Sequence, residues 1–361
     1  MSAPVGTVMI MAGGTGGHIF PALAVAKTLR GRGLQVVWLG SAGGMETHIV
    51  PEQGFPIETL AIKGLRGKGL HSLLQAPISI ATAVMAALRI IRRHHPAAVV
   101  SFGGYTAGPG GVAAWMQGCP LLVHEQNRAP GMTNRLLARI ADKVMTGFPD
   151  SFNSVAHSTV GNPVRPEISA LPAPETRFAG HGDGLRILVL GGSQGARAIN
   201  AVLPVVFAGL IDRLALRIRH QCGEKLLAET QQAYRAANIE ASVEPFIHDM
   251  AEAYGWADVV IGRAGALTVA EICAAGIASI LVPLPTAVDD HQAMNAEFLK
   301  LHGGGLWFRQ DADLAANLES ALLSLGQDSS ERLHLAKAAR ACAFPHAAED
   351  VAELIIKEMA A

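Results

Sequence analysis

The chain has 361 residues, of which 50% are hydrophobic, 16% are charged and 39 are glycine. This composition excludes a disordered chain, a collagen-like repeat and a coiled coil, and a chain of this length usually forms two domains. The net charge of −1 conceals an asymmetry, because residues 1–163 carry 13 Lys and Arg against 6 Asp and Glu, whereas residues 164–361 carry 16 against 24. A basic first half favours an anionic partner, such as a phosphorylated ligand or a membrane surface, and the low aromatic content argues against nucleic acid.

The predicted elements alternate between strands and helices. Thr7–Met11 has the apolar character and length of a strand, and a glycine-rich turn and a helix over Ile19–Leu29 follow it. The same order returns in the second half, where Arg186–Leu190 precedes a second glycine turn and a helix begins after Ala196. Further strands are predicted at Gln35–Leu39, Ala98–Ser101, Leu121–His124, Val259–Gly262 and Ser279–Val282. This alternation predicts an α/β protein with parallel sheets covered by helices on both faces.

Between the strands, Leu73–Ile91 is nearly uncharged and ends in a basic run at residues 92–95. Pro77 is the natural first residue of this helix, which would then be shorter than the roughly 20 residues that span a membrane. Two interpretations stay open, a buried helix of the α/β domain and an apolar patch at a membrane surface. The nearby basic side chains favour the second, since they suit anionic headgroups: Lys63, Arg66 and Lys68.

Prolines cluster between Gly161 and Pro174, where helical and strand periodicity lapses. We therefore predict a domain boundary near residue 164. The spacing over Ala347–Met359 predicts a last helix, and the residues alone do not choose the domain on which it packs. The absence of a basic, apolar leader predicts no signal peptide, and four scattered cysteines without C-x-x-C spacing favour the reducing cytosol.

Two glycine turns, Gly13–Gly17 and Gly191–Gly195, stand at matching positions after the first strand of each half. Backbone N–H groups at such a turn and at a helix N-terminus favour phosphate, although glycines can also merely permit a tight turn. Neither turn spells G-x-G-x-x-G and no P-loop sequence occurs, which argues against NAD and against P-loop nucleotide hydrolysis. The predicted ligand is a nucleotide or a nucleotide sugar held between two domains.

Several polar residues close to these turns are candidates for chemistry. His18 ends the first turn and could act as a general base, or it could be a solvated turn histidine. His124–Asn127 follows a strand but lacks the second histidine of a zinc protease motif, so it predicts ligand contacts or a loop network. Glu271 follows a third strand and turn, where it could accept hydrogen bonds from a ribose. Asp311 and Asp313 are better explained as a helix N-cap than as metal ligands, and no metal or other cofactor is predicted.

Six motifs stand in order along nearly the whole chain: Gly13–His18, Gly103–Tyr105, His124–Asn127, Gly161–Arg165, Gly191–Arg197 and Gly265–Glu271. Together they closely resemble the MurG family, the N-acetylglucosaminyltransferases that make lipid II in bacterial peptidoglycan synthesis. The resemblance implies the GT-B glycosyltransferase fold, in which two Rossmann-like domains with parallel sheets flank a central cleft. It implies an acceptor and membrane domain over residues 1–163, a UDP-GlcNAc domain over 164–344, and a C-terminal helix, 345–361, that packs back on the first domain.

The implied reaction moves GlcNAc from UDP-GlcNAc to the 4-hydroxyl of MurNAc in undecaprenyl-pyrophosphoryl-MurNAc-pentapeptide, which is lipid I. The reaction inverts the anomeric configuration, gives lipid II and releases UDP. The implied location is the cytoplasmic face of the bacterial inner membrane, as a peripheral protein. The implied partners are UDP-GlcNAc, lipid I, anionic phospholipid, and proteins of cell-wall synthesis and cell division.

The resemblance also implies roles for individual residues. His18 would be the general base, Arg165 and Ser193 would stabilise the departing diphosphate, and Asn127 would contact the donor sugar. Ile247 would contact uracil through its backbone, Glu271 the ribose, and Gln292 the GlcNAc hydroxyls. The remaining donor-site residues would be Thr15, Gly16, Gly17, Ala266, Leu267, Thr268, Val269 and Ala270. The acceptor side would include Gly14, Gly104, Tyr105 and Glu125.

Two other functions are compatible with the residues. A UDP-GlcNAc epimerase or hydrolase on the same fold would need no lipid acceptor and would leave the apolar, basic segment at 73–95 unexplained. A non-catalytic sensor of nucleotide sugars would bind without turnover and would give His18 no role.

Overall fold

The computed structural model describes residues 6–62, 70–181, 184–192 and 195–360, and within the helix that begins at Leu70 it describes side chains from Pro77 onward. The chain divides into two compact units. Residues 1–164 and 346–361 form the first, and residues 165–345 form the second.

Within its described residues, the first unit holds a seven-stranded sheet in which all the pairings are parallel. Its strand order is β3-β2-β1-β4-β5-β6-β7. The elements are β1 Thr7–Ala12, α1 Gly16–Gly31, β2 Gln35–Ser41, α2 Glu46–Glu52, β3 Ile57–Leu60, α3 Leu70–His94, β4 Ala98–Gly103, α4 Ala107–Met116, β5 Leu121–Glu125, α5 Met132–Leu137, β6 Lys143–Thr146, β7 Ser158–Thr159 and, from the end of the chain, α15 Ala347–Met359.

Helices cover both faces of this sheet. Strand β1 shows why, because its alternate residues enter two different cores. Val8 and Ile10 pack with α1 and α15, whereas Met9 and Met11 pack with α3 and α4. The C-terminal helix is therefore part of the first unit.

The second unit repeats this plan with a parallel sheet of six strands in the order β10-β9-β8-β11-β12-β13 within its described residues. Its elements are α6 Pro166–Ser169, α7 Pro174–Ala179, β8 Leu185–Leu190, α8 Arg197–Leu210, β9 Leu216–Gln221, α9 Leu227–Ala236, β10 Ser242–Glu244, α10 Met250–Trp256, β11 Val259–Gly262, α11 Ala266–Ala275, β12 Ala278–Leu281, α12 His291–Leu301, β13 Leu306–Trp307, α13 Leu314–Gln327 and α14 Ser329–Ala341. Short 3₁₀ helices lie at Glu224–Leu226 and Val288–Asp290.

The predicted α/β class and the parallel sheets are confirmed. One helix boundary is wrong, because α3 begins at Leu70 and Pro77 lies inside it. A proline beyond the first turn removes one helical hydrogen bond, a cost that flanking helix and packing can offset. The helix is therefore longer than predicted, and within the described part of the chain no helix combines the length and the apolar character needed to cross a membrane.

Candidate active site

The first glycine turn connects β1 to α1 and places His18 in the first turn of that helix. Gly14 adopts φ +86°, a conformation that glycine tolerates well. His18 is half-buried, and its Nδ1 lies 3.1 Å from the Gly13 carbonyl oxygen and 3.5 Å from Thr15 Oγ1. Because a carbonyl oxygen can only accept, Nδ1 carries the proton, and Nε2 of the neutral ring is left able to accept one.

A second loop, at the end of β4, comes close to this turn. Gly103 and Gly104 have φ +104° and +98°. A Cβ at Gly103 would lie 3.1 Å from His18 Nε2, and one at Gly104 would lie 2.7 Å from the Gly13 carbonyl oxygen. Glycine is therefore required at both positions for the close approach of these loops. The next residue, Tyr105, has a side chain that is 53% exposed.

The polar quartet His124–Asn127, at the end of β5, forms a hydrogen-bond network. Glu125 is buried and accepts hydrogen bonds from the backbone N–H of Asn127 at 2.9 Å and from Asn134 Nδ2 at 3.0 Å. Gly131 N also donates to it, at 3.1 Å. Glu125 thus fixes the position of the loop that carries Asn127. The sequence did not predict that Asn134 takes part in this network.

His124 is fully buried beneath this loop. Its Nε2 donates to the Gly161 carbonyl oxygen at 2.9 Å, and its Nδ1 lies 3.1 Å from Gln126 Nε2. Burial lowers the pKa of His124 to about 4, although the hydrogen bond to Gly161 opposes the shift. The imidazole is therefore neutral at pH 7, and it links the end of β5 to the loop at Gly161.

The second glycine turn connects β8 to α8 in the second unit. A Cβ at Gly191 would lie 2.8 Å from the Gln221 carbonyl oxygen, and one at Gly195 would lie 2.6 Å from that of Cys222. The glycines thus let the turn lie directly against the end of β9. Ser193, the predicted diphosphate contact in this turn, lies outside the described residues.

The loop after β10 is fixed to β9 by a side chain. Gln221 Oε1 accepts a hydrogen bond from the backbone N–H of Ile247 at 3.0 Å. Ile247, the predicted uracil contact, is 2% exposed. The backbone N–H of Ile247 is therefore already hydrogen-bonded within the protein. The sequence did not predict this role for Gln221.

Helix α11 begins at Ala266, directly after Gly265, and its first N–H groups have no partner within the helix. Two side chains hold the segment before it in place. Asn295 Nδ2 donates to the Ala264 carbonyl oxygen at 3.1 Å, and Arg263 Nη1 donates to the Val282 carbonyl oxygen at 3.0 Å. The predicted donor residues 266–270 therefore lie on a helix N-terminus that is firmly positioned.

Glu271, on the same helix, is nearly buried and has two partners. Its Oε1 accepts from Arg165 Nη2 at 2.8 Å, and its Oε2 accepts from the Tyr254 hydroxyl at 3.1 Å. Burial, and then the Glu271 carboxylate, raise the pKa of Tyr254 well above its usual value, so the phenol remains a donor. Arg165 and Glu271, which are predicted to bind the diphosphate and the ribose of the donor, therefore form an ion pair with each other. The Tyr254 hydroxyl donates to the same carboxylate.

Gln292 lies at the start of α12. Its Oε1 accepts a hydrogen bond from the Leu284 backbone N–H at 3.0 Å, which orients the amide and ties the loop after β12 to the helix. Asp313 occupies the N-cap position of α13 as predicted, but Asp311 rather than Asp313 accepts the local backbone hydrogen bond. Within the described chain, no cluster of three acidic, histidine or cysteine side chains is suited to a metal ion.

Large apolar side chains are exposed on α3 and α4. Ile78 and Met85, seven residues apart, lie on one face of α3 and are 72% and 53% exposed. Trp115 and Met116 at the end of α4 are similarly exposed, and Arg92 beside them donates to Gln117. We call Ile78, Met85, Trp115 and Met116 the apolar surface, and the exposed Arg89, Arg92 and Arg93 are its basic rim.

Comparison with known proteins decides the family. Residues 8–146 match the model of the glycosyltransferase family 28 N-terminal domain, and residues 186–355 match that of its C-terminal domain. The chain belongs to glycosyltransferase family 28.

The relatives of this family 28 chain are similar to it over nearly its whole length. One is a UDP-N-acetylglucosamine–N-acetylmuramyl-(pentapeptide) pyrophosphoryl-undecaprenol N-acetylglucosamine transferase of Xylella fastidiosa (strain Temecula1), 58% identical over 97% of this chain and 96% of the relative. The crystal structure of Acinetobacter baumannii MurG has a TM-score of 0.85 and 41% identity, covering 98% of this chain and 99% of that one. The predicted MurG resemblance and GT-B fold are confirmed.

A more distant structure shows how widely the fold is shared. A putative UDP-N-acetylglucosamine 2-epimerase from Listeria monocytogenes matches this family 28 chain with a TM-score of 0.67 but 15% identity, over 96% of this chain and 95% of that one. At this identity the likeness shows the fold alone. It gives no support to the epimerase alternative.

Proposed function

We propose that this chain transfers GlcNAc from UDP-GlcNAc to the 4-hydroxyl of MurNAc in lipid I, giving lipid II and UDP. It is a UDP-GlcNAc-dependent hexosyltransferase, and its 58% identity to an enzyme of that name, across almost the full chain, is the observation that carries the proposal. The epimerase, hydrolase and sensor alternatives have no comparable support.

His18 is the general base in the proposed mechanism. Its Nε2 accepts the proton of the MurNAc 4-hydroxyl while that oxygen forms a bond to the anomeric carbon of GlcNAc. The bond from this carbon to the diphosphate oxygen breaks, and UDP leaves with the electron pair. Attack from the opposite face inverts the α-linked donor to a β1,4 linkage. The hydrogen bond from Nδ1 to Gly13 supports this role, because it leaves Nε2 as the basic nitrogen.

The donor side is proposed to act through charge and through backbone N–H groups. Arg165, Ser193 and the second glycine turn would stabilise the negative charge that develops on the departing diphosphate, as helix N-termini and guanidinium groups do elsewhere. Ile247 would contact uracil through its backbone, Glu271 the ribose, Asn127 the donor sugar, and Gln292 the GlcNAc hydroxyls. The remaining contacts would come from the two helix starts: Thr15, Gly16 and Gly17, and Ala266, Leu267, Thr268, Val269 and Ala270. The built-in hydrogen bonds of Gln221, Tyr254 and Leu284 support a site that is already ordered.

The acceptor is proposed to meet the loops that contain Gly14, Gly104 and Tyr105, with Glu125 holding the neighbouring loop in place. A peripheral position on the cytoplasmic face of the inner membrane would bring these loops to a lipid-linked acceptor. The apolar surface and its basic rim support this position, because apolar side chains beside arginines suit an anionic leaflet. Proteins of cell-wall synthesis and cell division complete the proposed partners.

The experiment is a measurement of UDP release by the purified chain, with UDP-GlcNAc in the presence and absence of a lipid I analogue. We expect release that depends on the acceptor, and little release when UDP-GalNAc replaces UDP-GlcNAc. Equal release without the acceptor would instead support hydrolysis or epimerisation. Binding of UDP-GlcNAc without any turnover would support a sensor.

A further inference from the structure

One peptide group in the first glycine turn contacts a carboxylate on one side and His18 on the other. The N–H of Gly14 donates to Glu46 Oε2 at 3.2 Å, and the carbonyl oxygen of Gly13 accepts from His18 Nδ1 at 3.1 Å. This N–H and this carbonyl belong to the same peptide bond, so only that planar group separates the carboxylate from the imidazole.

The Glu46 carboxylate is held in a site that is shaped for it. Glu46 is the first residue of α2 and is fully buried. Its Oε1 accepts from the backbone N–H of Ser41 at 2.8 Å and from the Ser41 hydroxyl at 2.6 Å. Space for the side chain comes from three glycines, since a Cβ at Gly13, Gly40 or Gly44 would come closer to Glu46 than 3.0 Å, which real Cβ atoms essentially never do.

The charge on this group has a direct effect on the peptide. Burial raises the pKa of Glu46, but the hydrogen bonds from Ser41 and Gly14 outweigh it and the net pKa lies below the usual value. The carboxylate is therefore ionised at neutral pH. A charged acceptor on the N–H polarises the peptide group and makes its carbonyl oxygen a stronger acceptor. That oxygen is the one that binds His18 Nδ1–H.

We propose that Glu46 is a positioning residue for His18 and acts through the Gly13–Gly14 peptide group. It holds the ring in the tautomer with the proton on Nδ1, and it stabilises the doubly protonated ring that forms when Nε2 takes the proton of the acceptor hydroxyl. The arrangement has the logic of a carboxylate that orients a histidine, with a peptide group inserted between the two. This inference rests on the proposed function of His18 as the base.

The test combines a spectroscopic and a kinetic readout on the full chain. Long-range proton–nitrogen spectra of protein labelled with ¹⁵N-histidine report which ring nitrogen carries the proton, and the His18 signal is assigned by its loss in His18→Ala. We expect the Nδ1–H tautomer in the unmodified protein. In Glu46→Gln we expect a mixture of tautomers and unchanged UDP affinity. We also expect kcat to fall by about tenfold, the lower end of the range seen when the hydrogen-bond partner of a metal-bound histidine is removed.

Two further variants sharpen the result. Glu52→Gln, at the exposed end of the same helix, is the matched control and should change neither readout. Glu46→Asp keeps the charge but shortens its reach, so it should give an intermediate effect, and it carries the test if Glu46→Gln does not fold. An Nε2–H tautomer in the unmodified protein, or an unchanged tautomer in both Glu46 variants, would overturn the inference. Full turnover by His18→Ala would instead contradict the proposed base while leaving the tautomer result intact.

Discussion

At the scale of single residues, the link between Arg165, Glu271 and Tyr254 is the most informative feature of the second unit. A buried carboxylate with a guanidinium on one oxygen and a phenol on the other is well ordered. We therefore expect it to present one fixed orientation to the ribose of the donor, and it holds Arg165, the arginine that we propose to lie near the diphosphate. The nucleotide site should depend strongly on its charge and on both hydrogen bonds.

Replacing Glu271 with glutamine removes this charge and weakens the hydrogen bonds to Arg165 and Tyr254. We expect UDP affinity to fall by about tenfold or more, because hydrogen bonds to charged groups contribute about 1.5–3 kcal/mol each. Isothermal titration calorimetry measures the change. Glu175→Gln is the control, since Glu175 forms an exposed pair with Lys337 and should leave affinity unaltered. Unchanged affinity in Glu271→Gln would remove Glu271 from the site.

The buried Glu46 carboxylate predicts an acid-sensitive contribution to stability. Its folded-state pKa lies below the ordinary value of 4.5, so its stabilising effect is fully present above pH 4.5 and is lost as the pH falls through the lower, folded-state pKa. The free energy of unfolding should therefore decline more steeply below pH 4.5 in the unmodified protein than in Glu46→Gln. Urea unfolding at several pH values between 5 and 3 measures this. Parallel curves for the two proteins would show that the carboxylate contributes nothing specific.

Part of the candidate site could be predicted from the residues, and part could not. His18 and Glu271 stand next to glycine turns, a signal that the sequence displays directly. Glu46, Gln221 and Tyr254 come from other segments, and their roles arise only when the strands pair and the loops meet. The density of glycines around Glu46 was the one signal available, because closely spaced glycines often allow a side chain or backbone to approach.

At the scale of elements, strands buried on both faces were predictable because parallel sheets need continuous apolar runs. The start of α3 was not, since a proline is favoured at the first position of a helix, whereas Pro77 lies inside this one. Packing of buried α3 side chains such as Ala87 and Ile91 against the sheet offsets the lost hydrogen bond. Local propensity is weaker than tertiary packing at this point.

The part of the apolar surface that lies on α3 predicts binding to anionic membranes. In the double variant Ile78→Glu and Met85→Glu, two exposed apolar side chains become charged, which removes burial energy and adds repulsion from the lipid headgroups. We expect binding to vesicles that contain anionic phospholipid to fall by at least about tenfold, as measured by co-sedimentation, and UDP affinity to remain the same.

The control for this variant is Val205→Glu, which charges a similarly exposed apolar residue on α8 of the second unit. It should bind vesicles as the unmodified protein does. Equal loss of binding in both variants would mean that charge alone, rather than this surface, determines the effect. No loss in either would contradict a membrane role for α3.

At the scale of the whole molecule, the proposed assignment of the donor to the second unit predicts which segments UDP protects from hydrogen exchange. Hydrogen exchange should slow in α11 and in the loop around Ile247 when UDP is added, because ligand binding stabilises the segments that it contacts. Helix α15 of the first unit, which carries none of the proposed donor contacts, should change less. Greater protection in α15 than in α11 would contradict the assignment of the nucleotide to the second unit.

The most direct test of the central claim is analysis of the product formed from UDP-GlcNAc and a lipid I analogue. Mass spectrometry and NMR of the sugar product give its composition and its anomeric configuration. The account predicts one β1,4-linked GlcNAc-MurNAc disaccharide on the lipid for each UDP released. Free GlcNAc, an epimerised sugar nucleotide or an α-linked product would contradict it.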